Sequence, residues 1–285
     1  MKFGLGSANL GVKYGKLKTR VNRNNSNFII NSKNFSIIDT APLYKNAEKI
    51  IGKKLKRNTP IISKISPFRS KDININIRNF HKDFSRSLIN LKKEKIYGLL
   101  FHNEKDLDRK NINSFFEYLN FLKKKKKIKK IGFSTYDIYK SKKYLDIYKF
   151  DFIQFPLNIF NINKKLIKIL TQYKKKKIEL HARSVFMQGI FLQENQKLRK
   201  EFNTIYREMD KVKLIMKIKK KKDLYNFILS SIQSIKLIDY CIIGLRNKKD
   251  LSYLDNYKYK NIKLDLLFSL CLKNRNLLDA RKWKK

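Results

Sequence analysis

Four side chains able to hold or move a proton stand at one kind of place in this sequence, the end of a short apolar run. Asp39 closes "FSIID" at 35–39 and Tyr44 follows it by five residues; Lys64 lies inside "PIISKIS" at 60–66; His102 ends "KIYGLLFH" at 95–102. Taken singly, each has an ordinary explanation: an aspartate caps a helix, a tyrosine sits on an amphipathic rim, a histidine hydrogen-bonds inside a core. A lysine amid an apolar strand is costly unless paired, and Asp39 offers the partner. Together the four make a proton donor. A free phenol titrates near about 10; a nearby ammonium lowers that value, a carboxylate behind the ammonium keeps it charged, and a neutral imidazole can orient a carbonyl oxygen toward the phenol. Such a set protonates an oxygen on which negative charge develops. Hydride delivery to a carbonyl carbon creates that need, and none of these side chains carries hydride, so a nicotinamide cofactor is implied.

These residues can cooperate only if the apolar runs bring their ends together. Eight runs recur: 2–6, 35–39, 60–66, 95–102, 129–134, 151–155, 177–184 and 239–244. Segments of helical period lie between them, with one-sided stripes such as Ala47, Ile50, Ile51, Leu55 and Phe80, Phe84, Leu88, Leu91. The same period returns in Leu166, Ile169, Leu170, Tyr173 and in Leu224, Phe227, Ile228, Ser231, Ile232, Ile235. Strands alternating with helices predict βαβ units and a parallel sheet. Eight units predict a closed (β/α)8 TIM barrel, a single α/β domain over residues 1–285, rather than an open doubly wound sheet. The glycines of "GLGSANLG" at 4–11 have the wrong spacing for a dinucleotide fingerprint. In a barrel the C-terminal strand ends share the face on which active sites are built.

The balance of charge is extreme: 68 Lys and Arg against 23 Asp and Glu, a formal net charge of +45. Lysine, asparagine and isoleucine are enriched together along the whole chain, without a basic tail or basic domain, a pattern that an AT-rich genome imposes through its codons. We therefore expect no specific nucleic-acid partner, although a basic surface attracts phosphates non-specifically. The lysine runs at 123–127 and 174–177 fall at predicted helix C-termini, at the bottom of the barrel, where cations complement the helix dipole and are read as solvated. Charges interrupt every apolar stretch and the N-terminal residues lack a signal-peptide core, so no membrane association and a cytoplasmic location are expected. Cys241 and Cys271 have no metal-ligand spacing and are read as small core residues. His81 is expected at the surface and His181 as a hydrogen-bonder in the barrel interior.

The stretch "DTAPLYKNAEKIIGKKL" at 39–55 resembles the signature of the aldo-keto reductases, NAD(P)H-dependent oxidoreductases on a (β/α)8 barrel. The resemblance carries Asp39, Tyr44, Lys64 and His102 onto the catalytic positions, with Tyr44 as general acid, Lys64 and Asp39 as its tuning pair and His102 orienting the carbonyl. It continues in family order through "IKKIGFSTYD", "FIQFPLNIFN", "ELHARSVFMQGIFL" and "CIIGLRNKKDL". This implies that Ser134 and Gln154 lie beside the nicotinamide carboxamide, that Arg183, Ser184 and Phe186 contact the cofactor, and that Gly244, Arg246, Lys248 and Asp250 belong to the loop holding the adenosine phosphate. There are departures. Thr135 replaces a common asparagine, and Arg183 stands where many members stack an aromatic ring on the nicotinamide. Asp250 stands where some carry an arginine for the 2′-phosphate; it would repel that phosphate, with Arg246, Lys248 and Lys249 near enough to compensate. NADP(H) is expected ahead of NAD(H).

The expected activity is reduction of an aldehyde or ketone, a small-molecule carbonyl, by a monomer or small homo-oligomer. The rival expectation is a cofactor-sensing barrel acting as a regulatory or partner-binding subunit. Substrate choice is expected to reside in the loops around 66–72, 103–108 and 192–222, which carry no recognisable pocket code.

Overall fold

Each of the eight apolar runs is a strand in the computed structural model, which describes residues 1–283. The strands are β1 Lys2–Gly6, β2 Phe35–Asp39, β3 Ile61–Ile65, β4 Ile96–Phe101, β5 Ile128–Ser134, β6 Phe152–Pro156, β7 Glu179–Arg183 and β8 Tyr240–Ile243. Every neighbouring pair is parallel, and β1 pairs with both β2 and β8, so the sheet closes into a (β/α)8 barrel.

A helix follows each strand: α1 Arg23–Asn31, α2 Ala47–Lys54, α3 Ile73–Leu91, α4 Ile112–Lys124, α5 Lys142–Ile147, α6 Lys164–Lys175, α7 Lys221–Ser234 and α8 Lys248–Asp255. Their apolar stripes face the barrel, as with Phe80, Phe84 and Leu91 of α3 and Leu166, Leu170 and Tyr173 of α6. Side-chain caps start several of them: Asp72 accepts from the Asn74 amide and Asn163 from that of Leu166. The loop predicted at 192–222 instead contains two helices, Gln196–Glu201 and Asn203–Ile215, and 103–108 contains a 3-10 turn.

The barrel interior follows the two-residue pleat of the strands. Ile37, Ile62, Leu100, Phe152 and Ile242 make a closed apolar cluster inside the ring. Phe152 fills it because β5 carries Gly132 beside it, where a Cβ would fall 2.8 Å from the ring. Two residues further along four of those strands stand Asp39, Lys64, His102 and Gln154, so the alternation that packs the core also delivers the polar residues to the upper rim. Near the bottom, Glu179 pairs with buried His181 at 2.6 Å, accepts from the Tyr97 hydroxyl at 2.9 Å and is ion-paired with Lys130. His181 is the interior hydrogen-bonder expected; His81 is exposed, with its Nδ1 2.5 Å from the Tyr118 hydroxyl.

The lysine runs lie at helix ends below the barrel, but the first residue of each is more than a solvated end. Lys123 pairs with Asp151 at 2.7 Å and Lys174 with Asp239 at 2.8 Å. The same two carboxylates accept the backbone amides of Ile131 and Leu180 at 2.7 Å, tying helix ends to strands. Cys241 is buried as expected, whereas Cys271 is only half-buried, because it follows the outlying helix Leu264–Ser269 rather than lying in the barrel. Among the described residues no helix is long and apolar enough to cross a membrane, and no cluster of His, Cys, Asp and Glu could hold a metal.

Candidate active site

Asp39 and Lys64 meet at the top of β2 and β3. The Lys64 ammonium donates to Asp39 Oδ1 at 2.5 Å and to the Thr40 carbonyl oxygen at 3.0 Å, and both side chains are buried. The other carboxylate oxygen accepts from Gln154 Nε2 at 2.9 Å. Gln154, expected beside a nicotinamide, thus spends its amide nitrogen on Asp39 and keeps only its carbonyl oxygen for other use. Glu48 of α2 is buried behind the pair and accepts from the Ser63 hydroxyl at 2.8 Å, fastening α2 to β3.

Tyr44 ends a 3-10 turn, Pro42–Tyr44, that leaves β2 immediately. Gly11 presses on that turn so closely that a Cβ there would lie 1.7 Å from the Tyr44 carbonyl oxygen, and only glycine permits the approach. The phenol ring stands 5.0 Å from the Lys64 ammonium and edge-on to His102, with ring centroids 6.0 Å apart. All four predicted residues are therefore one cluster.

The electrostatics differ from the expectation in one respect. Burial first, and the Asp39 charge second, push the Tyr44 phenol above its ordinary value, and Arg183 only partly opposes them. The ammonium was expected to lower it, but Lys64 is not among the groups that move the Tyr44 phenol, whereas the Asp39 carboxylate paired with it is. Tyr44 is accordingly a fully protonated donor at neutral pH. His102 moves the other way: burial, then the Lys64 charge, hold it down to about 3, so its imidazole is neutral. Its Nδ1 is buried without a hydrogen-bond partner among the described residues.

An open cleft runs from Asp39 and Tyr44 over the ends of β1 and β7 to the loop after β8. Gln154, Arg183, Ser184, Phe186, Gly244, Arg246 and Asp250 line it. Buried hydroxyls of Ser7 and Tyr225 belong to residues of the same lining and have no partner among the described residues, as expected of a place that receives a polar ligand. The residues present fit an elongated nicotinamide dinucleotide. Ser134, at the end of β5, and Lys248 do not line the cleft; Lys248 lies over the Phe28 ring, 3.5 Å from its centroid, facing α1. Arg246 is also not free. Its Nε and Nη2 reach the two oxygens of buried Asp250 at 2.8 and 3.0 Å, and its backbone amide adds a third bond.

Sequence reading missed Tyr14, Ser7, Gln188 and Tyr225 of the cleft wall. Tyr14 sits in a small hairpin after β1, bridged to Thr19, with Gly15 at φ 73° in its turn; the only local signal is "YGK". Tyr225 is buried on α7, where its ring stacks on Phe186 at 4.5 Å, beside the stripe that the sequence showed rather than in it.

The barrel is similar to solved structures that share its fold. It superposes on the glycerol dehydrogenase AKR11B4 from Gluconobacter oxydans with a TM-score of 0.69 and 19% identity, covering 94% of this chain and 89% of that one. For the holo form of the aldo-keto reductase AKR11C1 from Bacillus halodurans the TM-score is 0.67 and the identity 16%, covering 87% and 84%. No curated protein matches the sequence. The model of the aldo/keto reductase family matches residues 2–254, from β1 into α8 and across every element that builds the cluster and the cleft; the chain belongs to that family.

Proposed function

We propose that this member of an oxidoreductase family that uses nicotinamide cofactors reduces an aldehyde or ketone to an alcohol, with Tyr44 as general acid and residues 1–285 acting as one domain. The observation that carries the reading is the Asp39–Lys64–Tyr44–His102 cluster, of which Asp39 and Tyr44 line the elongated cleft while Lys64 and His102 stand behind them. A bound nicotinamide supplies the hydride. Ser184, Phe186, Gln154, Gly244 and Arg246 would hold that cofactor along the cleft, and Ser134 would support its carboxamide end from behind. His102, held neutral, would donate a ring N–H to the substrate carbonyl oxygen and turn it toward the phenol. As negative charge develops on that oxygen, the Tyr44 hydroxyl gives it a proton. The phenolate left behind faces the Lys64 ammonium 5.0 Å from its ring, and this attraction grows only as the charge appears. Asp39, fixed by Gln154, keeps the ammonium in place.

Purified protein given NADPH or NADH and a broad carbonyl panel should consume the reduced cofactor. Tyr44→Phe should lower kcat by about 10²–10⁴, the usual contribution of a positioned general acid, while leaving cofactor affinity nearly intact. Lys64→Met should be similarly damaging and should also cost stability, since it strands the Asp39 charge in a buried site. Equal turnover by Tyr44→Phe would remove the tyrosine from its role. Cofactor binding without turnover of any carbonyl would favour a cofactor-sensing subunit instead.

A further inference from the structure

We infer that Arg183 is an anion-reading residue for the substrate, and that the carbonyl compound taken by this site carries a compact carboxylate or phosphate close to the carbonyl. The inference rests on the reductase reading above and names the substrate class of that site.

Both carboxylates that line the cleft are already matched. Asp39 is paired with Lys64 and Asp250 with Arg246. The aromatic side chains near Tyr44 are uncharged, with His102 held neutral and the Tyr14 phenol pushed upward, first by burial and then by Tyr44. Arg183 remains. It donates to the Thr135 carbonyl oxygen at 3.3 Å and to the Ser184 hydroxyl at 3.4 Å, both long, and no carboxylate lies within ion-pair distance of it among the described residues. Arg199, Arg246 and Arg281 each have such a partner. A guanidinium offers five N–H donors in a planar fork, so most of those of Arg183 are unspent. A half-buried, uncompensated cation of this kind is costly until an anion arrives.

The direction of the side chain says which anion. From the end of β7 the guanidinium extends toward the turn after β5, where it lies 4.4 Å over the Tyr136 ring and meets the Thr135 backbone. Arg281 stacks on the same ring at 4.0 Å, which holds the ring in place. This course leads away from the Arg246–Asp250 end of the cleft. Its charge is felt at Tyr44, His102 and Tyr14, the groups around the reacting carbonyl. A carboxylate or phosphate attached near the carbonyl would accept a bidentate pair from Arg183 while its carbonyl oxygen meets Tyr44.

The test compares matched substrates: succinate semialdehyde against butanal, and glyceraldehyde 3-phosphate against glyceraldehyde, with wild type, Arg183→Gln and Arg183→Lys. Wild type should prefer at least one anionic member by about 10- to 100-fold in kcat/KM, carried mainly by KM, as hydrogen bonds to a charged group allow. Arg183→Gln should abolish the preference and Arg183→Lys should keep part of it; the pair that responds identifies carboxylate or phosphate. Equal use of neutral members, or a preference surviving in Arg183→Gln, overturns the inference. Calorimetric titration of succinate and of inorganic phosphate, with and without saturating NADPH, judges the site independently of turnover. Binding to wild type that Arg183→Gln loses supports it even where no carbonyl is reduced, an outcome that would sink the reductase reading alone. No binding to wild type overturns it. So does anion binding that NADPH competes away, which would assign Arg183 to a cofactor phosphate.

Discussion

At the scale of single residues, the proposed function makes Asp250 the residue that governs how the loop after β8 would receive a cofactor phosphate. Its carboxylate holds the Arg246 guanidinium in a bidentate pair, and Asn247 caps α8 by accepting the Asp250 amide at 2.9 Å. An arginine so engaged must exchange partners before it can clasp a 2′-phosphate. Asp250→Ala should therefore tighten NADPH relative to NADH by roughly 10-fold, since a hydrogen bond to a charged group contributes about 1.5–3 kcal/mol. Fluorescence titration with both cofactors reads the ratio, and an unchanged ratio would place the phosphate elsewhere. The candidate cluster was legible at this scale because Asp39, Lys64 and His102 each break an apolar run near its end. The course of Arg183 was not, because it depends on β7 facing the turn after β5 across β6, a relation no local spacing encodes.

At the scale of elements, the strands were legible because the short apolar runs stand apart from the segments of helical period between them. The helix α5 was not, since six residues show too little apolar stripe, whereas within 192–222 the stripe Ile205, Tyr206, Met209, Val212 is a helical signal where a loop was expected. Several elements end under strain. Lys92, Lys126, Lys177 and Lys217 follow helices with φ between 51° and 59°, a left-handed backbone in which glycine is favoured. With Gly at only 9 of 285 positions, lysine has taken these places. Lys177→Gly and Lys126→Gly should each stabilise the fold by about 0.5–1 kcal/mol, the left-handed cost less the extra chain entropy of glycine; a lower midpoint in chemical denaturation would contradict this. The bottom of β7 supplies a pH dependence. Burial would raise Glu179, but its hydrogen bond and charge interaction with His181, and then those with Lys130, outweigh burial and hold it at about 2. A depressed carboxylate contributes stability that is present above its ordinary 4.5 and is lost as pH falls toward 2. Glu179→Gln should flatten stability against pH across that window, measured by urea unfolding at steps from pH 5 to pH 2; a wild-type slope retained in the variant would remove Glu179 as its source.

At the scale of the whole molecule, a formal charge of +45 coexists with a barrel in which Arg183 has no carboxylate partner among the described residues. Much of the remaining excess is spread over exposed helix surfaces and loops. Binding to duplex DNA should accordingly be weak, indifferent to sequence and abolished by moderate salt, because counterion release is its whole basis. Sequence-selective binding that survives about 200 mM salt in a filter or fluorescence assay would contradict that.

The seam between β1 and β8 carries a consequence in time. Lys2–Leu5 register with Tyr240–Ile243, so the ring cannot shut until the last strand has been synthesised, and until then both β1 and β7 present bare edges. Helices such as α3 can form early from local contacts, but closing a loop of this length brings its reward late. Through most of its synthesis the nascent barrel is an open, strongly cationic sheet, and its like charges then resist edge-to-edge association with other unfinished copies.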